Sequence, residues 1–193
     1  MSAQDKTLLP IKPGLMETHQ ALIAIAALVL MMLPFITTFN EFLTAMVLRS
    51  QAYVLIQDFI VPIEGKMVGV ILQYVFGMNT VISGSSLIVL GARSLKVYIN
   101  WNCVGWQSII LFAITLVTGL RGPYTLKSKI LCVTAGIEGT ILLNLLRIAS
   151  VILVAIYAGN LPAILFHDYG GTILVVLWLV LFWHFAFNHI LKH

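Results

Sequence analysis

The chain has 193 residues, 60% of them hydrophobic and only 9% charged, with a net charge of +4. A soluble domain carries roughly 25% charged residues, and a mean hydropathy of +1.02 leaves too little polar surface to shield a chain of this size from water. Lipid is therefore the solvent for most of it. The isoelectric point of about 9.2 rests on scattered basic residues, without the basic patch or basic–aromatic interleaving of a nucleic-acid-binding module, so no nucleic-acid partner is expected.

A spanning helix needs roughly 20 mostly apolar residues. Lys6 and Lys12 lead into Ala21–Phe39, which has no A-x-A cleavage pattern and reads as a retained first span. Phe42–Pro62, interrupted by Arg49, Gln51, Gln57 and Asp58, and the short Lys66–Met78 read as two weaker spans. Between Asn79 and Asn102 the period changes. Val81 to Gly91 is β-rich and ends in a glycine turn, and Leu95, Val97, Ile99 and Trp101 then alternate with Lys96, Tyr98 and Asn100. This predicts a small β-hairpin outside the hydrocarbon, because unpaired strand edges are costly against lipid. Val104–Leu120, Ile130–Ala158 and Thr172–Ile190 are clear apolar runs. The expected fold class is an all-α integral membrane protein of six spans, four being the alternative, with that β-hairpin preceding the fourth. It forms one domain over residues 1–193, with the hairpin at 79–102 and the functional spans at 103–190.

A cytoplasmic N-terminus places Lys6, Lys12, Lys66, Arg121, Lys127, Lys129 and Lys192 inside and only Arg93 and Lys96 outside, in keeping with the positive-inside bias. Both termini of this plasma- or inner-membrane protein are then cytoplasmic. The hairpin, Cys103 and a Gly159–Gly171 loop share the outer face, and Cys132 lies near the inner one, out of reach of Cys103.

Ionisable groups within spans are costly and point to function. Arg147 lies about 25 Å along its span from Ile130, with Asn144 on the same helix face; it reads either as a functional cation or as a side chain snorkelling to headgroups. Glu138 sits about 180° around the helix from Arg147 and roughly 13 Å deeper, which suits pairing with another helix. Arg49 either lines the same cavity as Arg147 or bridges helices.

Cys103, in Asn100-Trp101-Asn102-Cys103-Val104-Gly105, stands at a strand-to-helix junction where a thiol is partly exposed and the helix dipole favours its thiolate. Cys132 reads as a small apolar residue. His167, in the loop before the last span, would alone be a surface residue. Converging with Cys103 and Arg147, it is a candidate base for a thiol nucleophile, with the cation stabilising an oxyanion. The inventory suits acyl transfer. Rival membrane chemistries lack their parts: there is no HExxH or GxSG, and His184 and His189 point about 140° apart. His189 and His193 lie at a chain end, and Asp58 and Asp168 are expected on opposite sides. No metal or organic cofactor is called for.

The order of a β-hairpin, Cys103-Val104-Gly105 opening a span, Asn144-Leu145-Leu146-Arg147 in the next, and His167 with Gly170 in the following outer segment resembles the exosortase/archaeosortase family, over Asn79 to Ile190. The resemblance implies a multipass cysteine protease or transpeptidase. Its substrates would be exported proteins ending in a short motif, a hydrophobic helix and a basic tail. Cys103 would be the nucleophile, His167 the acid/base and Arg147 the orienting or oxyanion-stabilising cation. Asn144 would support Arg147, and the acyl group would pass to water or to an amine such as a lipid headgroup. Many members carry a small hydroxyl residue where this chain has Val104. The competing reading is a non-enzymatic assembly subunit or small-anion transporter in which Arg147 and Arg49 bind the anion.

Overall fold

The computed structural model describes residue 38, residues 41–91 and residues 94–192. The expected first span, Ala21–Phe39, lies outside these save for Thr38. The chain divides into two compact units, Met1–Met46 and Val47–His193. In the first, residues 41–46 are helical; everything below concerns the second.

Among the described residues, four helical segments are long and apolar enough to cross a membrane. They are α1 (Ala52–Phe76), the segment Trp101–Gly119, whose regular part is α2 (Trp106–Gly119), α3 (Leu126–Tyr157) and α4 (Asn160–Ile190). The strands β1 (Asn79–Ser83), β2 (Ser86–Leu90) and β3 (Leu95–Tyr98) lie between α1 and α2 in sequence.

The division of the weaker apolar stretch into Phe42–Pro62 and Lys66–Met78 does not hold. The chain turns at Ser50–Gln51, where Gln51 adopts a left-handed φ of 56°, and α1 then runs without a break past Pro62. Proline has no N–H to donate and presses on the carbonyl four residues earlier. A π-helical turn at Ile56–Ile60, immediately ahead of Val61-Pro62, adds a residue to the ladder at that point. The polar residues Gln57 and Asp58 mark this turn, not a gap between two spans.

One face of α1 buries Val61, Glu64, Gly65, Val68, Gly69 and Leu72, the spacing of a helical stripe. The sheet packs on that face. It is antiparallel throughout, in the order β1-β2-β3. The expected two-stranded hairpin is therefore a three-stranded sheet, because the segment read as one β-rich run folds back on itself at Gly84-Ser85. Ser83 pairs with Ser86, and Gly84 takes a φ of 58°, as a two-residue hairpin turn requires.

Two cores result. Val61, Val68 and Leu72 of α1, Leu87 and Val89 of β2, Ile99, and Leu145, Ile148, Ala149 and Ile152 of α3 form the first. Phe112, Cys132, Phe182, Ala186 and Leu191 form the second, with Phe112 and Phe182 edge to face at 5.3 Å. The 32 residues of α3, about 48 Å long, join them. Glu138 is exposed on α3, and among the described residues it forms no ion pair with another helix.

The Gly159–Gly171 segment is helix, not loop. Pro162 falls in the first turn of α4, where a missing N–H costs nothing, and a π-helical turn spans Phe166–Gly170.

Gln57 fixes the start of the site to this framework. Its Nε2 donates to Ser85 Oγ at 2.8 Å and its Oε1 accepts from the Trp101 backbone N–H at 2.8 Å. Gln57→Ala should lower stability by about 1–3 kcal/mol, read as a lower thermal midpoint in detergent. Gln73→Ala, at an exposed position on the same helix, should change it by less than about 0.5 kcal/mol.

Candidate active site

Cys103 lies in a single 3-10 turn, Trp101–Val104, that links β3 to α2. Asn100 caps this turn: its Oδ1 accepts from the Asn102 N–H at 3.0 Å and from the Cys103 thiol at 3.3 Å. Gly105 follows with a φ of 73°. A Cβ there would stand 2.6 Å from Asn144 Cγ, so both the backbone angle and the close approach call for glycine. Val104, where the family resemblance leads one to look for a hydroxyl, packs on the first core.

Asn144 is buried on α3 and its carboxamide is fully engaged. Nδ2 donates to Glu64 Oε1 at 2.7 Å and to the Cys103 carbonyl at 2.8 Å, and Oδ1 accepts from Arg147 Nη1 at 3.4 Å. Arg147 Nη2 reaches the His167 carbonyl at 3.3 Å. The guanidinium is therefore directed at α4, not outward as a snorkelling side chain would be. A Cβ at Gly171 would overlap Arg147 Nε; this glycine, expected at the end of a Gly159–Gly171 loop, admits that side chain.

His167 projects from the π-helical turn of α4. Its Nε2 is 3.9 Å from Cys103 Sγ and its Nδ1 is 2.9 Å from Asp168 Oδ1. With Nδ1–H donating to the carboxylate, the Nε2 lone pair faces the thiol, the order of partners found in thiol and serine nucleophile triads. Cys103, Arg147 and His167 border one cavity of about 140 Å³, walled by Val97, Tyr98, Ile99, Ile148, Val151 and Ile152.

The structure thus brings together Cys103, Asn144, Arg147 and His167. Arg49 is exposed and does not line the cavity, so of its two expected roles, cavity lining and helix bridging, the first does not hold. Asp58, expected on the far side from Asp168, adjoins Gln57 at the end of α1 that holds Ser85 and Trp101. Sequence reasoning misses Glu64, Asn100 and Asp168. Glu64 is buried at 7% exposure within a run taken as the join between two spans. Asp168 follows His167 directly, and helical neighbours diverge by about 100°, which argues against contact; the wider π turn makes room for it.

No protein-family model, no curated protein and no solved structure matches the chain. The family resemblance rests on the residues themselves.

Glu64 is partnered through one oxygen only; Oε2 is buried without a hydrogen bond among the described residues. Glu64→Leu should leave an Asn144 N–H unsatisfied and lower stability by about 1–3 kcal/mol. Glu64→Gln, which keeps an acceptor oxygen, should retain most of that stability in the same thermal unfolding measurement.

Proposed function

We propose that the protein is a membrane-embedded cysteine protease or transpeptidase of the exosortase/archaeosortase type, acting on exported proteins that end in a motif, a hydrophobic helix and a basic tail. The observation that carries this reading is the Cys103–His167–Asp168 relay, with Cys103 Sγ 3.9 Å from His167 Nε2 and Asp168 Oδ1 on the other ring nitrogen, beside the Arg147 guanidinium on one cavity.

Asp168 holds the imidazole so that Nε2 takes the Cys103 proton. The thiolate then attacks a peptide carbonyl carbon, forming a C–S bond and placing negative charge on the carbonyl oxygen. Arg147 stabilises that oxygen in a setting poor in water. Collapse breaks the C–N bond as Nε2–H passes its proton to the leaving amine, and the acyl group remains as a Cys103 thioester. Water or an amine, such as a lipid headgroup, gives a proton to Nε2 and attacks the thioester. Sulfur departs and recovers its proton from His167. In the proposed topology the sheet and cavity face outward, and Arg121, Lys127, Lys129 and Lys192 are cytoplasmic, as the positive-inside bias favours; the cytoplasmic N-terminus belongs to the six-span count, which α1 as one helix does not support. The two-arginine anion site is the weaker reading, because Arg49 lies away from the cavity.

Cys103→Ala and Cys103→Ser should abolish removal of C-terminal helices from exported proteins, measured by C-terminal peptide mapping in a deletion strain complemented with each variant. Cys132→Ala, in the second core, should process normally. Unimpaired processing by Cys103→Ala would sink the covalent mechanism.

Arg147→Lys keeps the charge but loses the planar fork, and should slow processing by about 10²–10³ at equal abundance. Gly171→Ala should reproduce much of this loss by displacing the guanidinium. Cysteine-accessibility labelling checks the topology: Ser85→Cys should react from outside and Lys127→Cys only after the membrane is opened.

A further inference from the structure

The edge of β3 meets the cavity in a way that its side chains alone do not explain. Successive side chains of a strand point to opposite faces: Val97 packs on the first core and Ile99 is buried in it, while Tyr98 is exposed on the other face. Yet Val97, Tyr98 and Ile99 all border the cavity that holds Cys103 and His167. Three consecutive residues of alternating orientation bring the strand's main chain itself to the cavity wall.

The register says which main-chain groups stand on that edge. The Ile99 N–H donates to the Ser85 carbonyl at 2.9 Å, and Val97 pairs with Leu87 and Tyr98 with Ser86. In an antiparallel ladder, hydrogen-bonded and non-bonded pairs alternate. Ile99 and Val97 therefore turn their N–H and C=O groups toward β2, and Tyr98 turns both of its own outward. Since β3 is an outer strand of the sheet, these two groups have no strand partner among the described residues. A donor and an acceptor from one residue, side by side on an edge, are complementary to one thing above all: the main chain of another extended segment.

Resting on the peptide-cleaving reading above, we infer that the substrate segment on the acyl side of the scissile bond binds as an added strand on β3, pairing with the outward N–H and C=O of Tyr98, while one of its apolar side chains enters the cavity. The leaving side is a helix, whose main-chain groups are already satisfied within it, so the extended partner is the acyl side. Val97, Ile148, Val151 and Ile152 give the cavity an apolar wall, and its volume of about 140 Å³ is comparable to a cavity that admits a benzene-sized group. Main-chain pairing supplies affinity that does not depend on sequence, and the cavity supplies the choice of side chain.

The test uses the full chain in its membrane and compares alkylation of Cys103 by three probes. Iodoacetamide reports the thiol alone. An acetyl-trialanyl chloromethyl ketone places an extended peptide on the acyl side; Cys103 Sγ displaces chloride and forms a thioether. Its analogue, N-methylated at the amide facing β3, cannot pair there. The unmethylated ketone should label Cys103 about three- to tenfold faster than the N-methylated one, each rate being normalised to iodoacetamide. Tyr98→Pro removes the outward N–H while sparing the β2–β3 bonds, which run through Val97 and Ile99; edge strands tolerate proline. In that variant the ratio should fall toward one. Equal rates for the two ketones, both above the iodoacetamide rate, would overturn strand addition and leave the peptidase reading standing. If neither ketone exceeds iodoacetamide, the peptidase reading itself is overturned.

Discussion

A single carboxamide governs the arrangement of the site. Asn144 offers two donors and an acceptor from one planar group, and each is used on a different part of the chain: Glu64 of α1, the Cys103 carbonyl ahead of α2, and Arg147 one turn along α3. Arg147 then reaches α4 at His167. Four helical segments are thus registered through Asn144 and its neighbour Arg147. Aspartate at this position would be isosteric yet would lose both donors and face the Glu64 carboxyl group. Glycine at 105 and 171 follows from the same constraint, since the backbone must come close to Asn144 and Arg147.

The relay reads outward from that anchor. Asn144 sets where the Cys103 backbone sits, Asn100 holds the thiol end of the turn, and Asp168 sets the ring that faces the thiol. Hydrogen bonds of this kind are worth most where water is scarce, and for the same reason an unmatched group there is costly. That cost helps explain why so polar a cluster occupies a chain otherwise given over to aliphatic and aromatic packing.

Much of this was legible in the sequence because it depended on local pattern. The alternation from Leu95 to Trp101 marked β3, the apolar runs marked α2, α3 and α4, and the i, i+3 spacing put Asn144 beside Arg147. What escaped depended on tertiary context. Pro62 and Pro162 look like breaks, but one follows a π turn and the other lies in a first helical turn. Ser83-Gly84-Ser85-Ser86 is short enough to pass for strand, though it makes the turn that adds a third strand. Glu64 carries no local signal at all. Its role exists only because Asn144, eighty residues later in sequence, comes to rest against it.

The three chemically distinct groups are carried by backbone of unequal stiffness. Arg147 projects from the interior of a 32-residue helix, far from either end, where fraying does not reach. Cys103 rides on a lone 3-10 turn and His167 on a π turn, each with weaker ladders than an α-helix. Any adjustment that admits a bulky group is therefore borne by the thiol and the imidazole, while the guanidinium stays as the fixed point against which both are aligned. The site resembles a vice with one stationary jaw, and the stationary jaw is positively charged.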